Sequence, residues 1–258
     1  MKPALAIPYY DPTGRLFPHL RAILPALKEH FDRAYLCPPA STRRHAGLMQ
    51  FLQADDFFTL FPWDPDGPIG DCFAFLYRQA AQAAPPDQPL HLCFLDRLSF
   101  ALEGKYHDRF LADVNALTAA DLPLIFQRTP LAWSSHPRNY REIEGFVTTV
   151  GRLLFGRELD YAWCHLVISA AQLGEIIPRV HNHDLSMVAE IVLQIQDQVK
   201  TREVDWLGWE DPLVLSRDPG ELKREREGSP EEAGKRLAYA LPMVEAMLQF
   251  ALEREDRT

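Results

Sequence analysis

Short apolar runs separated by amphipathic stretches are the feature that most limits what this chain can become. Ala4-Leu5-Ala6-Ile7-Pro8, Ala34-Tyr35-Leu36-Cys37, Phe57-Phe58-Thr59-Leu60-Phe61, the run over 90–95 and Leu124-Ile125-Phe126-Gln127 each read as one buried strand. The stretches between them carry helical period. Over about 16–31, Leu20, Ile23, Leu24 and Leu27 share one face. A second helix is expected over about 72–84, with Phe73, Leu76 and Tyr77 on one side and Pro85-Pro86 as its stop. Strands apolar on both faces, alternating with helices, predict an α/β fold: a mostly parallel sheet flanked by helices. Ligands in such sheets bind at the carboxyl ends of the strands. The loops after Pro8, Cys37, Phe61 and Leu95 are therefore where chemistry is to be sought.

The second half is less regular. Helices are expected over 140–155 and 170–176, and a strand over 162–168. A long helix should run from His181-Asn182-His183-Asp184 to about 199. A loop rich in Pro, Gly and Asp covers 62–71, and the charged stretch 220–228 reads as an exposed, mobile loop. Ser229-Pro230-Glu231-Glu232 is a capping box with proline at the first helical position, opening a last helix. On it Leu237, Leu241, Val244 and Leu248 fall in register, to pack internally or against a second subunit as a homodimer. The expected organisation is an α/β domain over 1–215, with a helical C-terminal extension, 216–258, packed on it.

Composition closes off several functions. A net charge of -9, with acidic residues spread along the chain, argues against nucleic acid as a partner. No run approaches the ~18 apolar residues of a spanning helix, and the apolar start is too short for a signal peptide. The four cysteines are scattered without CxxC or zinc-ligand spacing, which suits a reducing, cytoplasmic setting. Neither GxGxxG after the first strand, nor GxxxxGK[ST], nor GxSxG occurs.

The candidate site residues each have two readings. Asp96 follows the 90–95 strand, where a carboxylate either meets a ligand or caps the turn. Arg97, Arg128 and Arg138 can bind phosphate oxygens or lie solvated. His181-Asn182-His183-Asp184 is the densest titratable cluster. There Asp184 or His183 can act as a base, the two histidines can ligate metal, or Asp184 can cap the helix. Tyr9, Asp11 and Asp71 can contact a nucleotide, against strand-end packing and capping as alternatives. Trp133, Trp206 and Trp209 can form a sugar platform or part of the core.

Three segments resemble a known family. They are Ala6-Ile7-Pro8-Tyr9-Tyr10-Asp11; Ile69-Gly70-Asp71 leading through a helix to Leu92-Cys93-Phe94-Leu95-Asp96; and His183-Asp184 at a helix start. Their order, over roughly 4–200, is similar to the GT-A fold nucleotide-diphospho-sugar transferases, with its nearest likeness among mannosylglycerate synthase and related family-2-like glycosyltransferases. The resemblance implies transfer of a sugar from a nucleotide-diphosphate donor to a small-molecule or glycan acceptor. It implies donor contacts from Pro8, Tyr9, Asp11, Asp71, Asp96, Arg97 and Arg128, with Asp184 and His183 as catalytic residues facing the acceptor. The family's Asp-x-Asp has become Asp96-Arg97-Leu98. A divalent cation, Mg²⁺ or Mn²⁺, would then be held by Asp96 with Glu210 and Asp211; a metal-independent enzyme would rely on the arginines. Two alternatives stand beside this expectation. One is a catalytically inactive GT-A-like protein that binds nucleotide or carbohydrate or acts as a scaffold. The other is a metal-dependent hydrolase built on His181, His183 and Asp184.

Overall fold

The computed structural model describes residues 2–64 and 68–255. Residues 65–67, within the loop expected over 62–71, lie outside the described residues. The apolar runs of the first half become β1 (Ala4–Ile7), β2 (Ala34–Leu36), β3 (Phe58–Leu60) and β4 (Pro89–Cys93). Between them lie α1 (Phe17–His30), α2 (Ala40–Arg43), α3 (Ala46–Gln53) and α4 (Ile69–Ala83). After β4 come α5 (Leu95–Glu103), α6 (His107–Asn115), β5 (Leu124–Arg128), α7 (Pro130–Ser135) and α8 (Arg138–Phe155). The chain continues with β6 (His165–Ser169), α9 (Ala170–Ile176), α10 (Met187–Ile195), β7 (Lys200–Val204) and α11 (Asp211–Leu215). It closes with α12 (Pro219–Glu227) and α13 (Pro230–Glu255).

The strands form one sheet in the order β3-β2-β1-β4-β6-β5-β7. It is mixed: β6 runs antiparallel to both of its neighbours, β4 and β5, and the other strands share one direction. Nothing in the β6 sequence announces the reversal. A strand buried on both faces reads as a continuous apolar run whichever way it points. Strand alternation divides the core in two. Ala4, Ala6, Leu90 and Leu92 face one layer with residues of α4, α9 and α10, joined by Ala240, Met243 and Met247 of α13. Leu5, Ile7 and Cys93 face the other, with residues of α1, α5 and α6.

Several expectations change. The stretch over 220–228 is α12, not a loop. Asp218 accepts the Glu221 N–H at 2.8 Å, proline occupies the first turn and Leu222 is fully buried. A cap, a proline and one anchor outweigh its charge. The helix expected to reach 199 stops at Ile195, and Lys200–Val204 leaves as an edge strand beside β5. α4 starts at Ile69, three residues before its expected start at Cys72. On α13, Leu237, Leu241 and Leu248 are exposed, whereas Ala240, Met243 and Met247 are buried. No described helix is long and apolar enough to cross a membrane.

Candidate ligand cleft at the strand ends

Two clefts open over the carboxyl ends of β1, β2 and β4, and they share Pro8, Tyr10, Ile69 and Phe73. The first, about 370 Å³, is walled by Phe94, Trp163 and Tyr239 and contains charged groups. The second, about 410 Å³, is lined by Cys37, Arg44, Trp63 and Cys72. Pro8 ends β1, and the two tyrosines after it part company. Tyr9 continues the alternation of Leu5 and Ile7 into the core, where it is 1% exposed and its hydroxyl has no partner. Burial and then the Asp11 charge push its pKa up. Tyr10 is 56% exposed and lines both clefts.

Asp11 shapes the loop instead of lining a cleft. Its Oδ2 accepts the N–H groups of Leu16 at 2.9 Å and Phe17 at 3.1 Å, and its own N–H donates to Thr42 Oγ1 at 2.8 Å. These bonds satisfy orphan donors at the start of α1, which has no other side-chain cap.

The charged end of the first cleft is a closed network. Arg97 donates to Glu210 in a buried contact, and to Gly208 O at 3.4 Å. It also meets His136 Nε2 at 3.3 Å, while His136 Nδ1 lies 3.0 Å from Ala132 O. That geometry assigns a neutral ring donating from Nδ1 and accepting at Nε2. Burial, then Arg128 and Arg97, hold the His136 pKa far below its usual range. Arg128, at the end of β5, reaches Asp160 at 2.9 Å, Glu144 at 3.4 Å and Cys164 Sγ at 3.1 Å, and stacks 4.4 Å over Trp133. Arg236 of α13 binds Glu144 at 3.1 Å and the Tyr239 hydroxyl at 2.8 Å, and lies 3.6 Å over the Tyr140 ring. Tyr239 in turn donates to Glu144 at 2.7 Å.

Glu144 is thus the hub. Burial opposes its ionisation, but Arg128 and Arg236 outweigh burial and hold its carboxyl below the usual value. Asp160 goes the other way: burial raises its pKa against the pull of Arg128, and the Glu144 charge adds to the rise. One guanidinium shared by two buried carboxylates cannot compensate both fully. Around the cleft, Arg97, Arg128 and Arg236 face Asp96, Glu144, Glu210 and Asp211, so the cations hold no majority.

Asp96 lies in the first turn of α5 and lines the cleft, its Oδ1 accepting the Arg97 N–H at 2.8 Å. Leu98, at the second position of the altered motif, is fully buried in the core. Glu210 and Asp211 line the same cleft, Glu210 held by Arg97 and Asp211 lying 3.6 Å from Arg226. Arg138 lies outside it on the surface, paired with Glu142 at 3.3 Å. Trp206 and Trp209 are buried and offer no platform.

His183 and Asp184 dock onto α4 beside the clefts without lining them. His183 is exposed, its Nδ1 2.6 Å from Asp71 Oδ1, and that contact raises its pKa. The Gly70 N–H donates to His183 O at 3.0 Å, and a Cβ on Gly70 would stand 2.4 Å from Asp184 O. Asp184 accepts the Ser186 N–H at 2.8 Å. With His181 it lines a separate outer groove of about 870 Å³ between α10 and α13, away from the strand ends. Volume alone does not favour that groove, because it lacks the buried converging polar groups of the first cleft.

Among the described residues, the group that brings three potential metal ligands within 4.8 Å of one another is His91, Cys93 and His165. These could hold a divalent ion. They sit on β4 and β6, with Phe110, Phe126 and Trp206 against the rings, rather than in the cleft lining. His91 Nε2 and His165 Nδ1 are 2.8 Å apart, and the outer nitrogen of each ring has no partner. Burial lowers the His91 pKa to about 3, leaving both rings neutral and competent as ligands. The group at Asp96, Glu210 and Asp211, and that at His181, His183 and Asp184, show no such convergence among the described residues.

Glu144, Trp163, Arg236 and Tyr239 enter the cleft without having stood out in sequence as site residues, and Tyr10, part of the first resembling segment, takes the place expected of Tyr9. Arg236 and Tyr239 are one turn apart on a surface-like helix, a pattern shared by many solvated pairs. No protein-family model matches the chain, and no curated protein or solved structure matches it.

Proposed function

We propose that this protein binds a nucleotide or carbohydrate in the paired clefts and does not transfer a sugar. The observation that carries the reading is charge closure: each guanidinium in the first cleft already contacts a carboxylate. A departing diphosphate needs a divalent cation or unspent side-chain cations. Four carboxylates against three guanidinium groups supply neither an excess of positive charge nor an open cation. Tyr10 is exposed in both clefts and Phe94, Trp63 and Tyr239 are half-buried along them, a lining that, with the fixed polar groups, suits sugar rings and nucleosides instead. Arg44 lines the second cleft and makes no ion pair among the described residues, so it is the cation open to a ligand phosphate. A GT-A-like frame is supported by the seven-stranded order with a single reversed strand beside β4.

Glycosyl transfer is the second reading. It is favoured by the continuity of the clefts through Pro8 and Tyr10, which would admit an extended nucleotide sugar, and by Asp96 lying beside Arg97. Thermal shift with a panel of nucleosides, nucleotides and nucleotide sugars, with and without Mn²⁺, separates the two. Binding predicts stabilisation without added metal and an intact donor afterwards. Transfer predicts release of nucleoside diphosphate.

A further inference from the structure

We propose that Cys37 and Cys72 form a reversible disulfide, making the floor of the second cleft a modification site for small hydroperoxides. The four cysteines are free thiols, but they are not equivalent. Cys37 Sγ and Cys72 Sγ stand 3.2 Å apart. A disulfide needs about 2.05 Å, so closure requires roughly 1 Å of relative movement. Both side chains line the second cleft, which gives a small oxidant a route to them. Cys72 is 7% exposed and Cys37 and Cys93 are fully buried. Cys164, 6% exposed, lines the first cleft instead, with no second cysteine in that lining, and its Sγ is taken by Arg128 at 3.1 Å.

The environment also separates attacker from resolver. Cys72 lies in the first turn of α4, near the positive end of the helix dipole. The hydrogen bond from Cys37 lowers the Cys72 pKa, and the same bond followed by burial raises that of Cys37. Burial raises the thiols of Cys93 and Cys164, neither of which lines the second cleft.

The chemistry balances with a hydroperoxide as oxidant. The Cys72 thiolate attacks the terminal peroxide oxygen, the O–O bond breaks, and the leaving hydroxide or alkoxide takes a proton. Cys72 is then a sulfenic acid. The Cys37 sulfur attacks it, the S–O bond breaks, and water departs with the Cys37 proton. Two thiols are oxidised and one peroxide is reduced; a dithiol reverses the change. The bond would tie the first turn of α4 to the end of β2 across the cleft floor.

The test uses the full chain with hydrogen peroxide and does not depend on what ligand the clefts hold. Titration of the denatured protein should fall from four free thiols to two, peptide mapping should join Cys37 to Cys72, and dithiothreitol should restore four. Cys93→Ala and Cys164→Ala should keep the link. Cys37→Ser should leave Cys72 as a sulfenic acid that dimedone traps. A link that includes Cys93 or Cys164, four thiols unchanged by peroxide, or a dimedone adduct that persists in Cys37→Ser/Cys72→Ser would overturn the proposal.

Discussion

Glu210→Gln tests whether the charge network in the first cleft is closed as described. The substitution keeps the volume and one hydrogen-bonding oxygen but removes the charge facing Arg97. Arg97 is 7% exposed and Glu210 4%, so water cannot take over as partner. The remaining partners of the Arg97 guanidinium are a carbonyl at 3.4 Å and a neutral imidazole at 3.3 Å, both dipoles. Removing one partner from a buried pair costs roughly 3–5 kcal/mol, because the other charge stays desolvated. For a chain of this size that is a fall of roughly 6–20 °C in Tm. Arg97→Met should cost a similar amount at neutral pH and less at pH 5, since a buried carboxyl without its cation takes up a proton. The double variant Arg97→Met/Glu210→Gln leaves neither member as an unpaired buried charge, so it should cost less than the sum of the singles, a coupling of about 2 kcal/mol or more. Urea denaturation of the four proteins measures this cycle. A Glu210→Gln cost below about 1 kcal/mol, or a double variant equal to the sum of the singles, would refute the reasoning.

Further outcomes follow from the same geometry. Gly70→Ala places a methyl 2.4 Å from the Asp184 carbonyl, so it should destabilise by about 1–3 kcal/mol. Gly145→Ala, inside α8 with nothing within 4 Å, should stabilise by about 0.4–1 kcal/mol, with chemical denaturation comparing the two. Arg44→Ala should weaken nucleotide binding in calorimetry while leaving binding of an uncharged sugar unchanged. Glu144 has a folded-state pKa below the usual 4.5. Its stabilisation is therefore complete above pH 4.5 and lost as pH falls through the lowered value. Glu144→Gln should flatten that acid limb in a pH series of melting curves, and an unchanged limb would sink the assignment.

The sheet was largely legible because strands buried on both faces leave continuous apolar runs: β1, β2, β4 and β5 all do so. Direction was not legible, since the β6 pattern is the same for either polarity. α12 hid because its single buried side chain, Leu222, leaves no apolar stripe; only Asp218 and Pro219 marked it. Pro8, Asp96 and Arg97, at strand ends expected from sequence, line the first cleft, as do Arg128, Glu210 and Asp211, which other readings of the sequence single out. The choice between Tyr9 and Tyr10 was legible in principle, because Tyr9 shares the parity of Leu5 and Ile7. Glu144, Arg236 and Tyr239 were not, because α8 and α13 bring them to the cleft only through helix packing.

The central claim is that the paired clefts bind a nucleotide or sugar without cleaving it. Calorimetric titration with nucleotide sugars in the presence of EDTA, followed by analysis of the recovered ligand, tests it most directly. The account predicts saturable binding that Tyr10→Ala abolishes without lowering Tm, and a ligand recovered intact. Absence of binding across the panel, binding indifferent to Tyr10→Ala, or recovery of free nucleoside diphosphate would contradict it.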